Sequence, residues 1–393
     1  MSFNLRRSFR LVIIYFVIVI LAIFLYGRFK ATDLILKGTS LSLYSSLDGL
    51  RGILATLVAV HHFVLFKYWF LHGSWGGNES TVIINAGHVS VSLFFMITSF
   101  LFTRKIVESK DIQFSKLVIN RFFRIHPLFL FSILVIMFIA FILSDKNFSL
   151  STQAANFSIW NVYLASWGNH NFFSFEDTSL INAGVHWTLR YEWLFYLSLP
   201  LIAVCILSKK ILFRVLVVVL FIYLFESRFI IYFFDFKYLI LFLLGALVAV
   251  KYEVVKEVYS KLPRVLSSVI SVFLVFLIFN LDSEDLFHLN VQYCALIILF
   301  SLFVSGESIF GLLVSVSARK VGEISYSIYL MHGIVLFVLF SSFGESYLFK
   351  IGSDVLSLPI ILIFIFIISS FTYLTIEKPS IALGKSIIRY YKM

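Results

Sequence analysis

The sequence predicts an all-α protein, a polytopic bundle of transmembrane helices. Of its 393 residues, 60% are hydrophobic and only 13% are charged, whereas soluble domains carry about 25% charged residues. The mean hydropathy is +0.98. The 47 Phe and 19 Tyr suit contact with lipid and the aromatic belts at membrane interfaces. We therefore predict about ten core spans plus one N-terminal apolar segment, with the lipid bilayer around them.

The apolar runs place these elements in order. The N-terminal run, residues 11–26, has basic residues on both sides and is long enough either to cross a thinned bilayer or to lie on its surface. The ten core spans are predicted at residues 50–70, 82–103, 128–143, 187–207, 211–225, 236–250, 265–280, 291–304, 325–340 and 355–376. Pro127 fits the first turn of the third core span, and Pro379 fits a stop after the last.

The pattern predicts one membrane domain, residues 47–379, preceded by the apolar segment and linker of residues 1–46 and followed by a tail, residues 380–393. The net charge of +11 comes from basic residues in short loops between alternate spans, which the positive-inside rule explains better than nucleic-acid binding. Cys205 and Cys294 lie in apolar runs without metal-ligand spacing, so we predict buried thiols, no disulfide and no metal site.

One polar stripe runs along residues 47–63, the stretch that leads into and forms most of the first core span. On a helix, Arg51 and His62 differ by only ~20° of rotation, and Asp48 and His62 by ~40°. With a rise of ~1.5 Å per residue, His62 lies ~16 Å deeper than Arg51, near the middle of a ~30 Å hydrocarbon layer. An ionisable group at that depth is costly unless it faces the bundle interior or water. His62 is therefore either a functional group or a structural histidine bonded to a neighbouring helix.

The run RFFRIHP places Arg121 and Arg124 one helical turn apart at the predicted cytoplasmic end of a span. The pair either anchors the helix at anionic headgroups or binds a phosphorylated ligand, because guanidinium groups match phosphate oxygens in a bidentate way. Together with Arg51, the sequence offers three arginines for one cytoplasmic mouth.

Two further runs combine polar groups with aromatic rings. HWTLRYEWLFYLSLP holds Glu192 beside aromatic side chains, which suits a site for a polar, ring-shaped molecule, although an aromatic belt or an internal pair of Glu192 with Arg190 also fits. In GEISYSIYLMHG, Ser325 and His332 differ by ~20° on a helix with Tyr329 on the same side. That second stripe is either a packing seam or a substrate contact.

Taken together, these segments resemble the integral-membrane acyltransferase family 3, whose members O-acylate surface polysaccharides and related acceptors. The resemblance runs from Leu47 to Pro379 and rests on six segments in family order, LDGLRG, SLFFMITSFL, RFFRIHP, WTLRYEW, SYSIYLMHG and EKP. The sequence departs from the family at Ser90-Val91-Ser92, where relatives often have Gly-Val-Asp, and at Thr98-Ser99, where they often have Ser-Gly. An acidic partner on the second core helix is therefore missing.

The resemblance implies a surface-polysaccharide O-acetyltransferase of the bacterial inner membrane. The distribution of Lys and Arg among the loops separately predicts that the core N- and C-termini lie in the cytoplasm. The resemblance further implies that Arg51, Arg121 and Arg124 bind the acetyl-CoA donor, that His62 is the essential histidine and that Glu192 belongs to the active site. We count Asp48 with the catalytic residues, because it shares the stripe of His62.

The acceptor would be a surface glycan, such as the O-antigen of lipopolysaccharide, or its lipid-linked precursor. Its predicted pocket residues are Trp187, Tyr191, Ser325, Tyr329 and His332. No bound cofactor is expected. The alternative is a glycan-precursor flippase or transporter, in which Arg51, His62 and Glu192 form a substrate or proton path.

Overall fold

The computed structural model describes residues 2–37, 43–76, 80–109, 113–144, 148–162, 170–176, 178–208, 235–281, 286–343 and 354–391. The predicted all-α fold is confirmed, because every regular element within these ranges is helical. The α-helices are α1 (Ser2–Gly27), α2 (Asp33–Leu36), α3 (Ser45–His72), α4 (Thr81–Ser109), α5 (Phe114–Leu143), α6 (Leu150–Val162), α7 (Trp187–Leu207), α8 (Phe236–Val250), α9 (Tyr252–Ser260), α10 (Arg264–Asn280), α11 (Leu286–Val304), α12 (Val316–Glu323), α13 (Ser325–Phe343), α14 (Asp354–Thr372) and α15 (Lys378–Tyr390). Two 3₁₀ turns, Lys30–Thr32 and Thr178–Asn182, and a π turn, Tyr373–Glu377, complete the described elements.

Six helices of the described part are long and apolar enough to cross a bilayer, and the number rises to eight if each of two bent helix pairs counts as one span. The six are α3, α4, α5, α7, α13 and the continuous run from α14 to α15. The bent pairs are α1 with α2 and α8 with α9, while α10 and α11 supply shorter apolar stretches. The predicted count of about ten is not confirmed, and the predicted span at residues 211–225 lies outside the described residues.

Three local predictions were wrong. Pro127 lies inside α5 rather than in a first turn, and its missing N–H is tolerated because neighbouring helices can satisfy freed backbone groups. Pro379 does not stop the chain, since the helix continues through the π turn and Pro379 takes a place in the first turn of α15. Cys294 is exposed rather than buried, whereas Cys205 is half-buried.

The antiparallel helices α3 and α4 form the centre of the bundle. Helices α12 and α13 pack on α3, and α8 packs on α4. The approach of α12 to α3 requires glycine, because a Cβ atom on Gly322 would lie 1.8 Å from the carbonyl oxygen of Asp48. Gly49 is close to the turn that precedes α12, since a Cβ there would lie 1.9 Å from the carbonyl oxygen of Leu313. These contacts fix the first turns of α3, which carry Arg51, against α12.

A buried lysine holds the bend between α1 and α2. The chain turns by 85° between these two helices. Lys320 of α12 is only 3% exposed, and its Nζ donates to the Gly27 carbonyl at 2.8 Å, to Thr32 Oγ1 at 2.9 Å and to Asp33 Oδ1 at 2.6 Å. A cation is favourable at the C-terminal end of a helix such as α1. Lys320 therefore ties the N-terminal segment to the bundle.

The loop after α11 is built around the carboxylate of Glu307. It accepts hydrogen bonds from the hydroxyls of Ser267 and Ser268 and from the backbone N–H groups of Ser308, at 2.9 Å, and Ile309, at 2.7 Å. Burial favours the neutral form, but the four hydrogen bonds outweigh it and lower the pKa of Glu307 below its ordinary value. The charged carboxylate therefore stabilises this loop.

Candidate active site

A cavity of about 330 Å³ lies between α3, α4, α5, α7 and α13. Its walls combine apolar side chains, such as Phe94 and Leu101, with charged and hydroxyl groups. Six of the residues predicted from the sequence line it, namely Arg51, Arg121, Arg124, Glu192, Ser325 and Tyr329. The fold thus brings together side chains from four helices, whereas sequence patterns had predicted the residues of each helix separately.

One end of the cavity is cationic. Arg51 Nη2 lies 3.4 Å from the Gly322 carbonyl oxygen and 3.9 Å from Asp48 Oδ1. Lys105, an exposed residue near the C-terminal end of α4, also lines the cavity. In the described part of the protein, the Nε atoms of Arg51 and Arg121 are buried without a hydrogen-bond partner. The cationic end therefore has unused hydrogen-bond donors for a ligand. The exposed Lys105 marks the opening of the cavity.

The guanidinium of Arg121 is held by stacking on rings. Its central carbon lies 4.7 Å from the ring centroid of Phe102 and 5.7 Å from that of Tyr196. Such cation–π contacts orient a guanidinium, and a side-chain hydrogen bond between Arg121 and Tyr196 adds to them. The hydroxyl of Tyr196 in turn donates to Glu192 Oε2 at 2.9 Å, so the arginine, the tyrosine and the carboxylate form one connected group on the cavity wall.

A second buried carboxylate, Glu377, lies behind the arginines. It is 1% exposed, belongs to the π turn and accepts a hydrogen bond from Ser327 Oγ at 2.8 Å. Its charge acts on Arg124 and Arg51. Glu377 was not predicted to be a site residue, although its EKP segment carries part of the resemblance. π turns such as the one that holds it are frequent at functional sites. The nearness of Glu377 to the arginines depends on long-range packing.

Tyr329 closes the cavity at the end away from Lys105. Its hydroxyl donates to the Val185 carbonyl at 2.9 Å and lies 2.9 Å from Thr188 Oγ1. The Tyr329 ring lies 6.2 Å from the ring of His332, one turn further along α13. Tyr329 therefore stands between the cavity and the histidines described next.

His62 is paired with a second histidine. His62 Nδ1 lies 3.0 Å from Nε2 of His332, and His62 is half-buried but does not line the cavity. On another side, the His62 ring lies nearly parallel to the Trp75 ring, at 6.3 Å and 23°. Trp75 is 42% exposed. The neighbouring His61 is turned away, and its Nδ1–H donates to the Ile83 carbonyl at 2.8 Å.

The predicted stripe on α3 thus connects two regions rather than one. Arg51 lines the cavity, whereas His62 lies eleven residues, or ~16 Å of helix, further along. Asp48 lies beside Arg51 at the start of the helix, ~21 Å of helix from His62. Both Arg51 and His62 nevertheless contact the segment from α12 to α13.

Three predicted pocket residues do not line the cavity, namely His332, Trp187 and Tyr191. His332 contacts His62, whereas Trp187 and Tyr191 lie in an aromatic cluster. They pack with other rings, Trp187 on Tyr238 at 4.8 Å and Tyr191 near Phe95 at 5.8 Å. The Tyr191 hydroxyl accepts the backbone N–H of Asp235 at 2.8 Å. These contacts join α7 to α4 and to the start of α8.

Five polar residues of the cavity were not predicted from the sequence, namely Thr98, Lys105, Thr188, Tyr196 and Tyr326. A spacing signal was present for two of them, since Thr188 and Tyr196 each lie four positions from Glu192 and therefore share its helical face. Tyr326 donates to the Ile125 carbonyl at 2.7 Å and joins α13 to α5. No local pattern marks Lys105 as different from the neighbouring Arg104.

Comparison with known proteins assigns the family. The family model of the acyltransferase domain matches residues 44–374, a range that includes every cavity residue named above. No curated protein and no solved structure gave a match. Five of the six segments lie within the matched range, and the sixth, EKP, follows it at residues 377–379. The helical membrane fold agrees with this assignment. The chain belongs to the acyltransferase family 3 of integral membrane proteins and is a membrane acyltransferase.

Proposed function

We propose that this acyltransferase moves an acetyl group from acetyl-CoA to a hydroxyl of a cell-surface glycan or of its lipid-linked precursor. The observation that carries the proposal is the cationic end of the cavity, where Lys105 and three arginines meet. Guanidinium groups bind phosphate oxygens with paired, charge-assisted hydrogen bonds. The buried and unpartnered Nε atoms of Arg51 and Arg121 are donors that such a ligand would use.

The shape of the cavity suits the flexible arm of coenzyme A. A volume of about 330 Å³ accommodates the pantetheine arm, while the nucleotide and its phosphates stay at the opening beside Lys105. The apolar wall formed by Phe94, Leu101 and Phe102 fits the methylene groups of the arm. In this pose the thioester points toward Tyr329 and the histidine pair. The positive-inside rule places the Lys105 end in the cytoplasm, where acetyl-CoA is made.

His62 is the base of the proposed reaction. Its imidazole removes the proton from the acceptor hydroxyl while that oxygen attacks the thioester carbonyl, so a C–O bond forms and the C–S bond breaks. The departing thiolate takes the proton back from the imidazolium, and the products are an ester and free coenzyme A. In the two-step variant, His62 itself carries the acetyl group between donor and acceptor.

Tyr329 must move for the donor to reach His62. In the structure its hydroxyl is held by Val185 and Thr188, and the ring separates the cavity from His332. Rotation of the Tyr329 side chain would break these two hydrogen bonds and open a path from the cavity to the histidine pair. Glu192, on the wall beside Tyr196, then orients the acceptor hydroxyl or the imidazole.

The acceptor approaches His62 from the end of α3 opposite to Arg51. His62 is half-buried there, beside the exposed and nearly parallel ring of Trp75. The chain turns back at Gly73, which has a φ of +70°, so that Trp75 contacts Phe66 edge-on at 5.0 Å. An exposed indole face attracts the partly positive C–H groups of a sugar ring. This arrangement suits a glycan acceptor.

Transfer from radiolabelled acetyl-CoA in membranes that contain the acceptor tests the proposal. We expect a labelled ester with the wild-type protein and a loss of at least ~100-fold with His62→Ala, the lower range for a general base. His61→Ala is the matched control, because that histidine bonds to the Ile83 carbonyl instead. Substantial transfer by His62→Ala, or no labelled ester at all, would refute the proposal. NMR spectra of the surface glycan with and without the gene would identify the acceptor.

A further inference from the structure

The hydrogen bonds of His332 fix where its proton lies. His332 is fully buried at 0% exposed, and its Nδ1 lies 2.9 Å from the Ile328 carbonyl oxygen. A carbonyl oxygen only accepts hydrogen bonds, so Nδ1 of His332 carries the hydrogen. In a neutral imidazole the other nitrogen, Nε2, is then an acceptor.

The same reasoning fixes the proton of His62. His332 Nε2 lies 3.0 Å from His62 Nδ1, and since the first nitrogen has the lone pair, the second must supply the hydrogen. The Val58 carbonyl, one turn earlier on α3, also forms a hydrogen bond with His62. The lone pair of neutral His62 is therefore on Nε2, which points away from His332.

We propose that His332 is a positioning residue that holds His62 with Nε2 as the reacting nitrogen. This inference rests on the proposed function and adds a defined role for a residue outside the donor cavity. In hydrolytic triads a carboxylate accepts the Nδ1–H of the catalytic histidine, fixes its tautomer and stabilises the imidazolium. Here α4 has Ser90-Val91-Ser92 in place of a family segment with an acidic residue, and the acceptor facing His62 Nδ1 is an imidazole.

The effect grows as the reaction proceeds. When His62 takes a proton at Nε2, its ring becomes positive and its Nδ1–H bond to His332 becomes charge-assisted, which makes the bond about twice as strong as a neutral one. His332 is well placed for this, because its own Nδ1–H is anchored within α13. The pair thus favours the protonated state of the base through a partner, His332, that is itself neutral.

Two variants test this role through steady-state kinetics. His332→Leu removes the acceptor, and we expect kcat to fall by about 10- to 150-fold, the loss of one hydrogen bond to a charged group. The KM for acetyl-CoA should stay within about twofold, because His332 does not line the cavity. His332→Gln keeps an acceptor oxygen near the position of Nε2 and should restore most of kcat.

Each other kinetic outcome overturns the inference. An unchanged kcat in His332→Leu would mean that the Val58 carbonyl alone holds His62. Equal losses in His332→Leu and His332→Gln would mean that the side chain is needed for packing, and a parallel rise in the KM for acetyl-CoA would place His332 in donor binding. Melting temperatures of both variants establish that the compared proteins are folded.

A spectroscopic test separates this inference from the proposed function. Nitrogen-15 NMR of histidine side chains in nanodiscs reports which ring nitrogen carries the proton, with no need for donor or acceptor. We expect the hydrogen of His62 on Nδ1 in the wild-type protein. A hydrogen on Nε2 would overturn the inference even if acetyl transfer is found, whereas failed transfer with the hydrogen on Nδ1 would overturn only the proposed function.

Discussion

Arg51→Ala is the sharpest test of the donor site. The guanidinium of Arg51 is only weakly engaged by the protein, since its Nη2 lies 3.4 Å from the Gly322 carbonyl and 3.9 Å from Asp48. Its Nε is buried and has no partner within the described ranges. Since Arg51 lies at the cavity wall with unused N–H donors, we expect these donors to bind an anionic ligand.

The structure sets the size of the effect. One hydrogen bond from a charged group contributes about 1.5–3 kcal/mol, and about 1.4 kcal/mol corresponds to a factor of ten in Kd. We therefore expect Arg51→Ala to weaken coenzyme A binding by about 10- to 150-fold. Arg51→Lys should fall between this variant and the wild type, because an ammonium keeps the charge but loses the bidentate geometry.

Calorimetric titration of coenzyme A into the protein in nanodiscs measures this effect without an acceptor. Arg104→Ala is the matched control. Arg104 lies beside Lys105 near the C-terminal end of α4, but it pairs with Glu108 at 2.7 Å and with Glu253 and does not line the cavity. Wild-type affinity in Arg51→Ala would refute the donor site. So would an equal loss in Arg104→Ala, which would show only a general effect of surface charge.

Three further predictions concern charge. Lys105→Ala should raise the KM for acetyl-CoA by a few fold at low salt and much less at high salt, because an exposed charge at the opening is screened; kinetics at two ionic strengths measure it. Glu377→Gln should lower the melting temperature, since it removes one of the two carboxylates, Glu377 and Glu323, whose charges act on the buried Arg124. The lowered pKa of Glu307 means that its contribution to stability is present above the ordinary value of 4.5 and is lost as the pH falls through the folded-state value. The protection factors of residues 305–311, which are exchange rates corrected for the intrinsic pH dependence of amide exchange, should therefore fall in acid in the wild type and be low at every pH in Glu307→Gln. A pH-independent protection factor in the wild type would contradict this reasoning.

Local sequence patterns predicted the bounds of those helices whose first and last residues are marked by a change in hydropathy or by a capping residue. The predicted bounds of α7 and α8 coincide with those in the structure, and α8 begins where Asp235 caps the Lys237 N–H at 3.0 Å. The start of α5 was missed because the polar half before Pro127 resembles a loop in sequence. That half is helical because packing of its residues on the bundle outweighs local preference.

The candidate site was predictable where one helix sufficed. Spacing on α3 correctly gave Arg51 and His62 a common face, and spacing on α13 grouped Ser325 with Tyr329. Trp187 could have been excluded in the same way, because five positions turn it ~140° from Glu192. The pairing of His62 with His332 was beyond such reasoning, since it depends on how two distant helices pack.

The N-terminal boundary of the family match excludes residues that a buried side chain of the domain needs as hydrogen-bond acceptors. The family model begins at residue 44, whereas the ammonium of Lys320, deep within that range, is satisfied by Gly27, Thr32 and Asp33. A fragment limited to the matched range would lack these three acceptors of the Lys320 ammonium. A buried charge without hydrogen-bond partners is strongly destabilising. Versions of the protein shortened for expression should therefore keep the segment from the end of α1 to the start of α2, which supplies these acceptors.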